Sequence, residues 1–186
     1  ESLAMTNYMY MNKDDMKRLS DIIDPFVRIG ARVYETQALN DVPMGKVALN
    51  GLQRSDAGVY PGQTIGVHLF NPDTDSAMVC KDIEMEFDLV SRTQRARYVD
   101  FDQLPARLRK MFHRHYFSVG QKVAAEFDGV KLNFTVNSCN DPTRNKYLYY
   151  QMNPSTNITL VHSGNPMLQD VKNRIVIRDV VNKSHK

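Results

Sequence analysis

Long hydrophobic runs are missing from this sequence: none exceeds about five residues, against the ~20 that cross a bilayer. No membrane-spanning helix is therefore expected. No opening segment combines a charged n-region with an apolar h-region, so no secretory leader is read. Cysteine is scarce. Cys80 and Cys139 stand without CxxC spacing and without a neighbouring pair of histidines. Neither a zinc site nor a disulfide framework is expected; two reduced thiols in a cytosolic protein are the simpler reading, one long-range disulfide the other. Charge of one sign is not in excess either. The 24 basic and 21 acidic residues leave a net charge of +3, too balanced to predict nucleic-acid binding from charge alone.

Catalytic motifs are missing as well. There is no GxxxxGK(S/T) loop, no GxGxxG, no HExxH and no GxSxG. Ser55-Asp56-Ala57-Gly58 has the residues of an aspartic-protease turn in the wrong order and in a single copy. His113 and His115 are two apart at the end of a basic helix, where cations are favoured without any metal. The carboxylates of Glu84, Glu86 and Asp88 alternate with apolar residues and read as the wet face of a strand. No nucleophile, base and orienter come together, so no enzymatic role is expected of these residues, and no cofactor or metal is assigned.

What the chain does have is 186 residues, 42% hydrophobic, enough to bury ~70% of the unfolded surface in one large or two small domains. Gly, Pro, Asn and Asp punctuate it at short intervals, with alternating runs between them. Phe26–Ile29 and Arg32–Tyr34 read as strands broken at Gly30. Lys46–Leu49 reads as another after the turn at Val42-Pro43-Met44-Gly45, and Thr64–Phe70 as one with Ile65, Val67 and Leu69 on a single face. Many short strands imply a barrel or sandwich. Asn71–Ser76 has no apolar residue and marks a linker. A new strand follows, with Ile83, Met85 and Phe87 facing inward.

One helix is expected after Asp100 or Asp102, with Pro105 in its first turn and Leu104, Leu108, Met111 and Phe112 as its buried stripe. A second is expected from about Lys13 to Ile23, on Met16, Leu19 and Ile23, ending at Asp24-Pro25. An echo links Tyr60-Pro61-Gly62-Gln63 with Ser118-Val119-Gly120-Gln121. Each precedes an alternating run, and two ordinary turn-to-strand entries would explain it. The remaining signal is arginine. Arg92, Arg95 and Arg97 fall in one expected loop and Arg54 in another, Leu52–Gly58. The guanidinium fork suits carboxylate or phosphate.

The Gly-Gln segments carry a resemblance. Tyr116-Phe117-Ser118-Val119-Gly120-Gln121-Lys122-Val123 with Glu126-Phe127, and Leu52-Gln53-Arg54 with Ala57-Gly58-Val59-Tyr60-Pro61-Gly62-Gln63, resemble the N-terminal domains of the N-ethylmaleimide-sensitive factor (NSF) family of AAA+ ATPases. Ser2-Leu3-Ala4-Met5-Thr6-Asn7, Val42-Pro43 and Asp82–Phe87 match in the same order. The resemblance implies a mainly β fold with an α+β part: a double-psi β-barrel over 1–70, a linker at 71–77 and an α+β roll over 78–186, with a groove between the two parts. It implies a non-catalytic domain, monomeric by itself, that grips the SNAP adaptor on SNARE complexes. ATP and Mg would belong to hexameric ATPase rings following Lys186, tethered through Val180–Lys186.

The same resemblance implies a cytoplasmic protein recruited to membranes through its adaptor, with no nucleic-acid partner and no membrane insertion. The partner-binding residues it implies are Arg54 and Arg92 first, then Arg95 and Arg97. Ser55 stands where the family often has a second basic residue. The runner-up is the N-domain of a valosin-containing-protein-like or peroxisomal relative, which binds ubiquitin-linked adaptors through an apolar groove. A free-standing barrel enzyme and a nucleic-acid module are the readings from other classes.

Overall fold

Alternation becomes strand along most of this chain. The computed structural model describes residues 5–22, 25–140 and 147–174. Among these residues lie fourteen strands and three α-helices, a mainly β protein. Five early strands share one sheet: β1 (Tyr8–Met11), β2 (Phe26–Ile29), β3 (Arg32–Ala38), β4 (Val47–Ala48) and β5 (His68–Leu69), in the order β4-β1-β3-β2-β5. β1 runs parallel to β3; the other pairings are antiparallel. Gly30 takes φ +58° to close the β2–β3 turn, a conformation that favours glycine.

Nine later strands form three further sheets. β7 (Asp82–Leu89), β10 (Lys122–Phe127), β11 (Val130–Cys139) and β13 (Asn157–His162) order as β10-β11-β7-β13. β6 (Ala77–Val79), β12 (Tyr149–Gln151) and β9 (Tyr116–Phe117) order as β6-β12-β9, and β8 (Arg97–Val99) pairs with β14 (Leu168–Asp170). The strongest local signal is the Asp128-Gly129 pair between β10 and β11. Both residues take positive φ, as a two-residue hairpin turn requires.

The buried faces follow the period of two. Ile83, Met85 and Phe87 on β7 face Leu132, Phe134 and Val136 on β11, with Val123, Ala125 and Phe127 from β10. Helix α1 (Lys13–Leu19) is capped by Asn12 and buries Met16. It ends at Ser20, short of the expected Ile23; Ile23 and Asp24 lie outside the described residues, as do Ser2–Ala4 and Val180–Lys186. Helix α3 (Leu104–Met111) follows a 3-10 turn capped by Asp100, which accepts from the Asp102 amide. Leu104, Leu108 and Phe112 are buried as expected. Met111 is 42% exposed, because spacing of four along the axis already fills the contact with the sheet.

Two expected segments of the first part need correction. Leu52–Gly58 is not a loop. Gly51–Ala57 is helix α2, closed at its start by a capping box in which the Asn50 side chain accepts from the Gln53 amide and Gln53 Oε1 from the Asn50 amide. Gly58, at φ +69°, ends it. The second correction concerns Thr64–Phe70. Only His68–Leu69 is strand, and Leu69 is exposed while Phe70 is buried. The Phe70 amide donates to Phe26 O, and the chain turns there, carrying the ring inward.

The Gly-Gln echo is one turn built twice. The Gln63 amide donates to Tyr60 O and Gln63 Oε1 accepts from the Tyr60 amide; Gln121 makes the same pair of bonds with Ser118. Gly62 and Gly120 supply φ +80° and +85°, as the third position of such a turn demands. The two copies differ in burial: Gln63 is exposed, Gln121 is 1% exposed.

Phe70 joins the first sheet to the others. Its ring meets Tyr116 at 4.7 Å and Tyr149 at 5.2 Å, and Phe26 meets Tyr116 at 5.1 Å, all edge-on. With Val33 they form a small core between the sheets. Among the described residues no helix is long and apolar enough to cross a membrane.

Phe70→Ala should cost about 3 kcal/mol or more, read as a lower urea midpoint, with intrinsic fluorescence and circular dichroism transitions separating as the two sides uncouple. Coincident transitions at the wild-type midpoint would show that the seam does not join them. Gln121→Ala should cost about 1–3 kcal/mol, because it orphans the buried Ser118 amide, while Gln63→Ala stays near 0.5 kcal/mol. Equal losses in the same urea experiment would contradict the role of burial.

Candidate functional site

Arg54 rises from α2, and its Nη1 donates to Leu49 O at 2.6 Å. It lines a depression of about 570 Å³ with Lys46, Tyr60, Pro61, Gly62 and Ile65. The cap at Asn50 and the left-handed Gly58 hold that helix in place, so the sequence places Arg54 through local bonds.

Arg92 and Arg95 lie in the loop between β7 and β8, as expected, and both are exposed. The Thr93 hydroxyl shapes this loop by accepting from the Arg95 amide and donating to Arg95 O. Arg97 is not in the loop. It opens β8, where its amide donates to Met167 O and the strand pairs with β14, a partner too distant in sequence to be read locally. Arg92 and Arg97 line one depression of about 320 Å³ with Ser91, Thr93, Gly129 and Lys131. Lys131 was invisible as a site residue in the sequence, since the hairpin at Asp128-Gly129 is what brings it to the loop after β7. Arg95 does not line it.

Arg54 and the Arg92–Arg97 pair line different depressions. Arg32 donates to Asp56 on α2 at 2.8 and 3.3 Å, and a Cβ on Gly120 would sit 3.8 Å from its Nη2. That fixes α2 near the start of β10. The second depression lies beside Gly129, past the end of β10. The two groups thus lie toward opposite ends of β10, whose six residues span about 20 Å.

Between the first sheet and the later ones runs a third depression of about 480 Å³, lined by Ala31, Arg32, Val119, Tyr147, Leu148 and Tyr149 among others. Among the described residues its lining is largely apolar. Val119 is 57% and Leu148 63% exposed. Among the described residues its cation is Arg32, which is already paired with Asp56 and largely buried.

The histidines at the end of α3 depart from expectation. α3 stops at Met111, and His115 lies beyond it, 4% exposed, against Tyr8 and Phe112, with Glu35 at 3.9 Å. Burial pushes its pKa below the usual imidazole value; the His113 and Phe112 backbone contacts oppose this and His113 adds to it. Glu35 would favour the cation, but at 3.9 Å the contact is long and desolvation prevails. His115 is therefore a neutral interface residue rather than a cation at a helix end. The cysteines end up together: Cys80 and Cys139 are both buried free thiols, and a hydrogen bond to Cys139, reinforced by burial, pushes the Cys80 thiol up. Among the described residues no group of three or more His, Cys, Asp or Glu is placed to hold a metal ion.

No protein-family model matches the chain. It is similar to a vesicle-fusing ATPase of Arabidopsis thaliana, 26% identical over 144 residues. The match covers 73% of this chain and 18% of that protein, so the chain spans about a fifth of its curated relative.

His115 sets a pH dependence with a definite sign. Its folded pKa is depressed, so its contribution is complete above the unfolded value near 6.5 and is lost as pH falls below it. Urea midpoints should fall between pH 7.5 and pH 5.5, and His115→Gln should flatten that fall. An unchanged slope in the variant would refute this assignment.

Proposed function

We propose that the chain is the non-catalytic N-domain of an NSF-like AAA+ ATPase, which grips the SNAP adaptor on SNARE complexes so that ATPase rings can disassemble them in vesicle traffic. The observation that carries this reading is the similarity to a vesicle-fusing ATPase over 73% of this chain but only 18% of that protein. The arrangement of strands supports it. The strands through Leu69 form one sheet and those from Ala77 form the others. On this reading the first is a double-psi β-barrel over 1–70, the second an α+β roll over 78–186, and 71–77 the linker.

Arg54, Arg92, Arg95 and Arg97 make the grip. Arg54 lines one depression and Arg92 and Arg97 another, an arrangement that suits a broad acidic partner surface better than a small ligand. Each domain binds weakly, and several domains on one hexamer gain by avidity. ATP and Mg serve the rings alone. The fragment by itself is monomeric and cytoplasmic, and it reaches membranes only through the adaptor.

One observation favours the second reading, an N-domain of the valosin-containing-protein type that takes ubiquitin-linked adaptors. The depression between the sheets is apolar, with Val119 and Leu148 exposed.

Binding of the chain to immobilised SNAP–SNARE complex at low and high salt separates the two. Salt-sensitive capture should weaken at least about tenfold in an Arg54→Glu/Arg92→Glu double variant, since opposed charges steer and hold the complex. No capture at any salt by the folded chain, with capture on a ubiquitin-linked adaptor, would overturn the first reading in favour of the second.

A further inference from the structure

Three cations meet in the depression at the Asp128-Gly129 turn. Arg92, Arg97 and Lys131 line it with Ser91 and Thr93, and among the described residues no carboxylate lines it. Two neighbouring acidic groups, Asp128 and Asp88, are engaged elsewhere. Asp128 accepts from Arg107 Nη1 at 3.1 Å. Asp88 Oδ1 accepts from the Leu89 amide and from Asn165 Nδ2. Glu126 stands opposite Lys131 in the hairpin register, yet among the described residues the two form no ion pair. Thr93 Oγ1 is committed to its own loop, which leaves the Ser91 hydroxyl as the neutral donor.

Like charges held at one depression repel, and the arrangement is relieved most by a ligand of more than one negative charge. A carboxylate carries one charge and is satisfied by a single guanidinium fork. A phosphomonoester carries about −1.5 to −2 at neutral pH and has three acceptor oxygens. The cleft's volume of about 320 Å³ admits such a group.

We propose that Arg92, Arg97, Lys131 and Ser91 form a phosphomonoester site that takes a phosphorylated side chain of a protein partner. The site deepens the adaptor reading above, since it would make the grip sensitive to phosphorylation of the partner. Both guanidinium groups and the ammonium donate to the phosphate oxygens, and the Ser91 hydroxyl adds a fourth donor.

The test is a shift titration of the ¹⁵N-labelled 186-residue chain with a short Gly/Ala peptide carrying one phosphoserine, the same peptide with glutamate, and inorganic phosphate. The phosphoserine peptide should move the amides of Ser91–Thr93 and Gly129–Lys131 and saturate at a concentration at least about tenfold lower than the glutamate peptide. Inorganic phosphate should move the same amides. Lys131→Gln and Arg97→Gln should each weaken the phosphoserine titration severalfold while the core amides keep their positions. Equal saturation by glutamate and phosphoserine, or no response, overturns the proposal. So does a response only to vesicles bearing phosphorylated headgroups, which would assign the site to lipid. Lys131→Gln on immobilised SNAP–SNARE complex keeps the readings apart. Capture with no phosphoserine response overturns the phosphate site alone. A phosphoserine response with no capture by the wild-type chain upholds the site and counts against the adaptor.

Discussion

The aromatic seam of Phe26, Phe70, Tyr116 and Tyr149 is the contact on which the arrangement of the sheets depends. Phe26 and Phe70 come from the first sheet and the segment leaving it; Tyr116 and Tyr149 come from the later strands. Edge-on pairs of this kind contribute about 0.5–1.5 kcal/mol each beyond the area they bury. Burial raises both tyrosine pKa values, as expected of phenols withdrawn from water. Beside the seam, the Arg32–Asp56 pair ties α2 to β3 and sets Arg32 against Gly120. A buried pair is weak evidence for stability. Its consequence here is positional: it neutralises the cation that, among the described residues, lines the depression between the sheets.

Among the described residues the unpaired basic groups of the candidate site lie away from that depression. Arg54 belongs to a helix held by its own caps, and Arg92, Arg97 and Lys131 gather where a strand start, a loop and a hairpin end converge. A surface with separated basic clusters binds best to an extended acidic partner, and exposed charges of this kind act more on encounter and salt response than on raw affinity. The apolar groove and the basic clusters thus answer to two different chemistries on one small domain.

Much of the fold was legible in the residues. β2, β3, β7 and β10 follow from alternation, since a period of two puts every second side chain into the core. α3 followed from its stripe and Pro105. α2 was missed although its signal was present: Asn50 and Gln53 have capping-box spacing, and Gly58 stands at the stop. The run at Ile65, Val67 and Leu69 misled because alternation reports a half-buried strand only while the chain stays in the sheet, and here it leaves at Phe70. The candidate arginines were legible as residue types. Their grouping was not, since Arg97 is placed by β14 and Lys131 by the β10–β11 hairpin.

By itself the sequence determined the local features: a mainly β chain, the two Gly-Gln turns, the caps and the hairpin at Asp128-Gly129. These rest on φ preferences, hydrogen bonds within a few residues and the period of two, all of which are encoded within short windows. The tertiary structure alone decided what meets across the chain. It brought Cys80 beside Cys139, buried His115 near Glu35, paired Arg32 with Asp56, and divided the arginines between two depressions. Such meetings depend on strand order and on long-range burial, which reward contacts only once the sheets have assembled around a shared core.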